Sequence, residues 1–177
     1  MGTNANVTTT NMFLSPMQVK FGPSGSQVDL GGTLGNVVIT PKYMKADIKA
    51  DQSGLSVRDR RVSGFECTVV TELAEIVNKD IWKVVFPHAV ETGTGATGNI
   101  VFNSNIGDGD QANSNVLTLH PLSAASGDTS HDYTFYKAIA TAESAVTYGP
   151  TEQGKLKITW NILPDESTTP NRWFRLG

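Results

Sequence analysis

From Lys155 to Leu163, the residues Leu156, Ile158, Trp160 and Ile162 alternate with Lys155, Lys157, Thr159 and Asn161. That period of two predicts a strand with one packed face and one wet face. Tyr43–Ala50 alternates in the same way: Met44, Ala46, Ile48 and Ala50 against Tyr43, Lys45, Asp47 and Lys49. It reads as a half-buried strand that ends in the turn chemistry of Asp51-Gln52-Ser53-Gly54. The run Val57–Thr71 is long for a strand, whose usual length is about 5–6 residues. Phe65, Cys67 and Val69 alternate there with Glu66, Thr68 and Val70, whereas Arg58, Asp59, Arg60 and Arg61 are too polar to be buried. Gly64 is expected to form a bulge between a projecting polar hairpin and a packed base. Further strands are expected at Met17–Phe21, Asn36–Thr40, Val116–Leu119 and Tyr133–Ala140, with a turn at Asp29–Gly32.

One segment has the helical period. Leu73, Val77, Ile81 and Val84 form a stripe, with Glu75, Asn78, Lys79 and Lys83 off it. The spacing predicts a helix over Glu72–Phe86, capped by Thr71 and ended by Pro87. The pattern as a whole is mainly β, in a single domain over residues 1–177. Extended polar arms are expected at about 1–15 and 164–177. The chain is long enough to bury a core.

Composition narrows the function. The net charge is -3, and charged residues make up 18%. Nucleic-acid backbones are gripped by clustered Lys and Arg on a basic surface, so that class is disfavoured. No run approaches the roughly 18 apolar residues of a membrane span, so no membrane insertion is expected. The start, MGTNANVTTTNMF, lacks a charged segment followed by an apolar one and is not expected to act as a signal peptide. The single cysteine, Cys67, cannot form an internal disulfide and fits a reducing cytoplasm, where a buried inert thiol is expected.

The candidate chemistry dissolves on inspection. Gly93, Gly95 and Gly98 match a dinucleotide-binding glycine pattern. Such a loop must follow a strand and open a helix, because the helix N-terminus holds the pyrophosphate. Here Ile100-Val101-Phe102 after the glycines reads as a strand, so the loop is a connection. Asp108-Gly109-Asp110 resembles the start of a calcium loop, but Ala112 falls on a ligand position and no closing Glu follows. His88, His120 and His131 have no metal-ligand spacing, and no Gly-x-Ser-x-Gly elbow exists. The expectation is no enzyme, no cofactor and no metal.

What stands out is a long polar hairpin and a C-terminal end, Asn171–Leu176, that carries aromatics. Projecting strands and exposed apolar ends are liabilities in a monomer and docking elements in an oligomer. The order "VDLGGTLGNVVI", an alternating strand ending in "ADQSG", then a polar arm reaching "SGFECTVVTELAEI" resembles the major tail tube proteins of long-tailed bacteriophages. The resemblance spans about Met17–Leu163 and rests on the order of elements and turns.

It implies a β-sandwich or small barrel with one flanking α-helix and a long β-hairpin arm. It also implies hexameric rings stacked into a tube that carries DNA from the capsid to the host. In the family each subunit lends four strands to an inner barrel, and a long loop reaches the adjacent ring. Carried over, Asp51, Gln52, Ser53, Gly54 and Leu55, with Arg58, Asp59, Arg60 and Arg61, would form the inter-ring loop and its arm. Lys45, Asp47, Lys49, Glu66, Thr68 and Glu72 would face the lumen, and Met12, Phe13, Trp173, Phe174 and Arg175 would make terminal-arm contacts. The implied partners are further copies of the chain, a tape measure protein, a tail terminator and distal tail proteins, with DNA passing unbound. The implied location is the virion tail, after synthesis in the bacterial cytoplasm. Two alternatives stay open: another β-rich virion component, for head–tail joining or decoration, or a monomeric β-sandwich that binds a ligand through residues 92–115.

Overall fold

The computed structural model describes residues 15–49, 56–93, 98–103, 106–140 and 144–177. Eleven strands and two short helices occur among them: β1 Met17–Gly22, β2 Val28–Gly32, β3 Val38–Lys49, β4 Val57–Leu73, α1 Lys79–Val85, β5 Ala89–Thr92, β6 Asn99–Phe102, α2 Asp110–Asn113, β7 Asn115–Pro121, β8 Tyr133–Ala140, β9 Ala145–Thr147, β10 Lys155–Ile162 and β11 Phe174–Leu176. The protein is mainly β. Nine strands form one sheet, ordered β2-β1-β7-β8-β10-β4-β3, with β11 also on β8 and β9 also on β10; β5 and β6 form a separate hairpin.

The sheet curls until the end of β2 reaches β4. Thr33, just past β2, bridges Leu73 at the end of β4, and the Leu34 amide donates to the Glu72 carbonyl at 2.7 Å. The result is one large, curled antiparallel sheet. Its interior holds the fully buried Val19, Leu30, Val69, Leu117, Leu119, Phe135, Leu156, Ile158 and Trp160. Strand alternation explains the filling, since each strand turns every second side chain inward. In β10 the inward set is Leu156, Ile158, Trp160 and Ile162, as the sequence predicts. Trp160 is fully buried, and its indole Nε1 donates to Thr71 Oγ1 at 2.9 Å, so the polar atom it carries inward is satisfied.

Three expectations are corrected. Asp29–Gly32 is part of β2, not a turn: Asp29 pairs with Lys20, and Leu30 is fully buried. Gly31 holds φ at +84°, which bends the chain towards the Thr33 bridge without leaving the sheet. The helix starts at Lys79, not Glu72. Residues through Leu73 instead extend β4, where Thr71 and Leu73 continue the period-two run of Cys67 and Val69 into the core. Leu73 satisfies both periods, but its pairing with Leu156 decides for the strand. Asn78 caps α1 by accepting from the Asp80 amide at 3.1 Å; Val77 is 84% exposed, and Ile81 with Val85 forms the buried stripe. Finally, Asp110–Asn113, expected as loop, forms the one-turn α2. Pro87 follows the end of α1 as expected.

Candidate functional site

Beyond the body of the sheet, β3 and β4 continue as a two-stranded arm. Their pairing runs from Val38 opposite Val70 to Lys49 opposite Val57. Residues 51–55, the expected inter-ring loop of Asp51, Gln52, Ser53, Gly54 and Leu55, lie outside the described residues. Arg58, Asp59, Arg60 and Arg61 are all exposed on β4. Arg60 Nε meets Asp47 Oδ1 at 3.0 Å across the arm, and Lys42 Nζ meets Glu66 Oε2 at 3.5 Å nearer its base. Exposed pairs of this kind are weak and screened by salt. The arm has little apolar cover: Tyr43 is 64% exposed and Val62 60%, and Met44 and Val57 are exposed too. Met44 and Ala46, expected on a half-buried face, are therefore corrected to exposed; only Ile48 is half-buried.

The expected lumen face does not form as one face. The register breaks where Met44 pairs with Gly64 but Lys45 pairs with Val62, leaving Ser63 as the extra residue of a bulge. The bulge expected at Gly64 is therefore present, and it shifts the parity of β4 against β3. Glu66 pairs with Lys42, Thr68 with Thr40, and Glu72 with Lys157 of β10, so these share the outer face. Lys45, Asp47 and Lys49 alternate with Met44, Ala46 and Ile48 along β3. They therefore share the opposite face, with Tyr43 beside Phe65. Alternation read in each strand alone could not reveal this, because it gives no register between strands. A second break, between Ile48 and Lys49, leaves Arg58 as another extra residue that reverses β4 again.

The termini also depart from the expectation. Met12 and Phe13 lie outside the described residues. Trp173 and Phe174 are not displayed on an extended arm: β11 pairs Phe174 with Phe135, Arg175 with Thr134 and Leu176 with Tyr133. Trp173 and Phe174 are half-buried, while Arg175 is exposed. Phe65 holds Trp173 edge-on at 4.9 Å and Tyr43 at 4.9 Å, so a run of aromatic rings leads from the core to the arm.

The turn before β11 is fastened by Asp165. Its carboxylate accepts from the Ser167 hydroxyl at 2.6 Å, from Arg172 Nη2 at 2.6 Å and from the Ser167 amide at 3.1 Å. The Ser167 hydroxyl, then Arg172, hold its pKa down to about 2. The Arg172 guanidinium lies 4.2 Å over the Tyr136 ring. Nothing local in the sequence announces this clamp.

The remaining chemical candidates resolve into structure. The glycine loop connects β5 to β6, strand to strand, and opens no helix; Gly95 lies outside the described residues. His120 Nδ1 and Asp132 Oδ1 sit 2.6 Å apart, a buried pair that sequence reading missed because it joins β7 to the turn before β8. His88 is 3.9 Å from Asp108. Burial raises the pKa of the Cys67 thiol, as an inert core cysteine requires. Among the described residues, no three His, Cys, Asp or Glu side chains converge on a metal-sized site. An open groove of about 540 Å³ lies between Met17, Val37, Pro121 and Tyr133. No helix among the described residues is long and apolar enough to cross a membrane. Neither a scan of protein-family models nor a search of curated proteins finds a match to this chain.

Proposed function

We propose that the chain is a structural subunit that works by polymerising, in the manner of the tail tube proteins its element order resembles. The observation that carries this reading is the arm. β3 is 12 residues long and stands at the end of the sheet order, with exposed Tyr43, Met44, Val57 and Val62 on the arm it forms with β4. A long terminal strand with exposed apolar side chains is a template for pairing with another chain. Pro41 and three lysines on β3 are the usual means of restricting such an edge to selected partners.

In this reading, copies of the chain form hexameric rings, the arms link successive rings, and DNA passes through without specific binding. The chain has no catalytic step. A tape measure protein, a tail terminator and distal tail proteins would contact the tube, which belongs to the virion tail. Sedimentation velocity over a range of concentrations tests the role of the arm. The intact chain should form large species, and deletion of Asp51–Leu55 should leave folded single rings or monomers. Equal assembly by the deleted chain would remove the arm from the account.

A further inference from the structure

Charge is divided along the length of β4. Lys42–Val62 contains six of the chain's 14 lysines and arginines but three of its 17 carboxylates. The chain as a whole is acidic, at -3. At the other end of β4 the arrangement is reversed. The turns at 74–78 and 148–154 carry Glu75 and Glu152, and the lysines that follow them are engaged, Lys79 with the Gly98 carbonyl and Lys155 with Glu72. These turns meet: a Cβ placed on Gly154 would lie 2.5 Å from Ile76 Cδ1 and 3.3 Å from Tyr148 Cδ1. Around that contact Val77 is 84% and Tyr148 73% exposed, with Glu75 and Glu152 also at the surface. An apolar patch rimmed by carboxylates therefore stands at one end of the molecule. Exposed apolar side chains among cations stand at the other.

The two ends cannot meet within one chain. The 17 residues of β4 separate them, about 55 Å at strand rise. We infer that the arm of one copy seats on the patch formed by Val77, Tyr148, Glu75 and Glu152 of a second copy. Arg61, with Arg58 beside it, faces the carboxylates, and Met44, which shares the face of Arg61's partner Ala46, covers the apolar centre. The inference rests on the polymerisation reading and adds to it the place where the arm lands. Such a contact joins unlike surfaces, so between successive rings it can repeat along one direction wherever the rotation does not close it into a ring. Opposite charge fixes which end meets which.

Charge reversal with rescue tests it in the full chain. Arg58→Glu with Arg61→Glu should raise the concentration needed for assembly about tenfold or more, the scale of lost close charge pairs. Glu75→Arg with Glu152→Arg should do the same. All four changes in one chain should restore assembly, as should mixing the two double variants. Circular dichroism of each variant establishes that it is folded, since all four positions are exposed. If the intact chain and all variants assemble alike, the seat is wrong and polymerisation stands. If only the arm variant fails and mixing does not rescue it, the arm binds elsewhere, and the seat is overturned. If the intact chain stays monomeric even with preformed seeds, the seat and the polymerisation reading fall together. Retention of the intact chain on a DNA column that is lost in the arm variant, with no effect on assembly, would reassign the cations to nucleic acid.

Discussion

Phe21 of β1 and Trp160 of β10 lie with their ring centroids 4.7 Å apart, although β7 and β8 separate their strands in the sheet. Three strand spacings of a flat sheet would hold them about 14 Å apart. Their contact therefore measures how far the sheet has curled, and it ties its two halves together. Phe21→Ala should cost about 3–5 kcal/mol, the range for emptying a buried aromatic site. Urea denaturation followed by Trp fluorescence would register the loss as a lower midpoint.

The hydrogen bond from Trp160 to Thr71 is also internal to that core. Thr71→Val is nearly isosteric but strands the indole N–H, with a cost of about 1–3 kcal/mol. Trp160→Phe combined with Thr71→Val should cost less than the two single changes added together, because the shared bond is lost once. A double-mutant cycle in urea gives the coupling.

Gly31 and Gly64 make a contrasting pair. Gly31 has φ of +84°, and an added Cβ would stand 3.0 Å from Glu75 Oε1, so Gly31→Ala should destabilise by about 1 kcal/mol or more. At Gly64 the added Cβ would meet only the Met44 methyl, at 2.6 Å, the free end of a flexible and exposed side chain. Gly64→Ala should therefore change stability by less than about 0.5 kcal/mol, as for ordinary surface sites. Thermal melts of the two variants side by side make the comparison.

Asp165 predicts an acid-sensitive C-terminal end. Its folded pKa, about 2, lies below the ordinary value of 3.8. A depressed carboxylate adds stability that is fully present above pH 3.8 and is lost as pH falls through about 2. The Trp173–Phe174 region should thus become more open to pepsin between pH 4 and pH 2. In Asp165→Asn, cleavage should already be high at pH 4 and change little below it.

Much of this fold is legible in alternation. Lys155–Leu163 announces a strand because it has one packed face, and the pattern reports burial directly. The helix starts seven residues later than its pattern predicts because Leu73 fits a strand and a helix equally, and only its pairing with Leu156 separates them. The Gly31-Gly32 pair reads as a turn locally, yet Leu30 beside it belongs to the core. The arm is legible as a long polar hairpin, but its faces are not, since Ser63 and Arg58 each change the parity of β4 against β3. The C-terminal aromatics looked exposed because their partners, Phe65 and Phe135, are distant in sequence. The Asp165 clamp was hidden too, because it is built from the backbone geometry of a turn.

Electron microscopy of the intact chain, concentrated and negatively stained, tests the central claim most directly. Polymerisation through the arm predicts hollow filaments or stacked rings of uniform width. Single particles of monomer size at every concentration, with preformed seeds supplied, would contradict it.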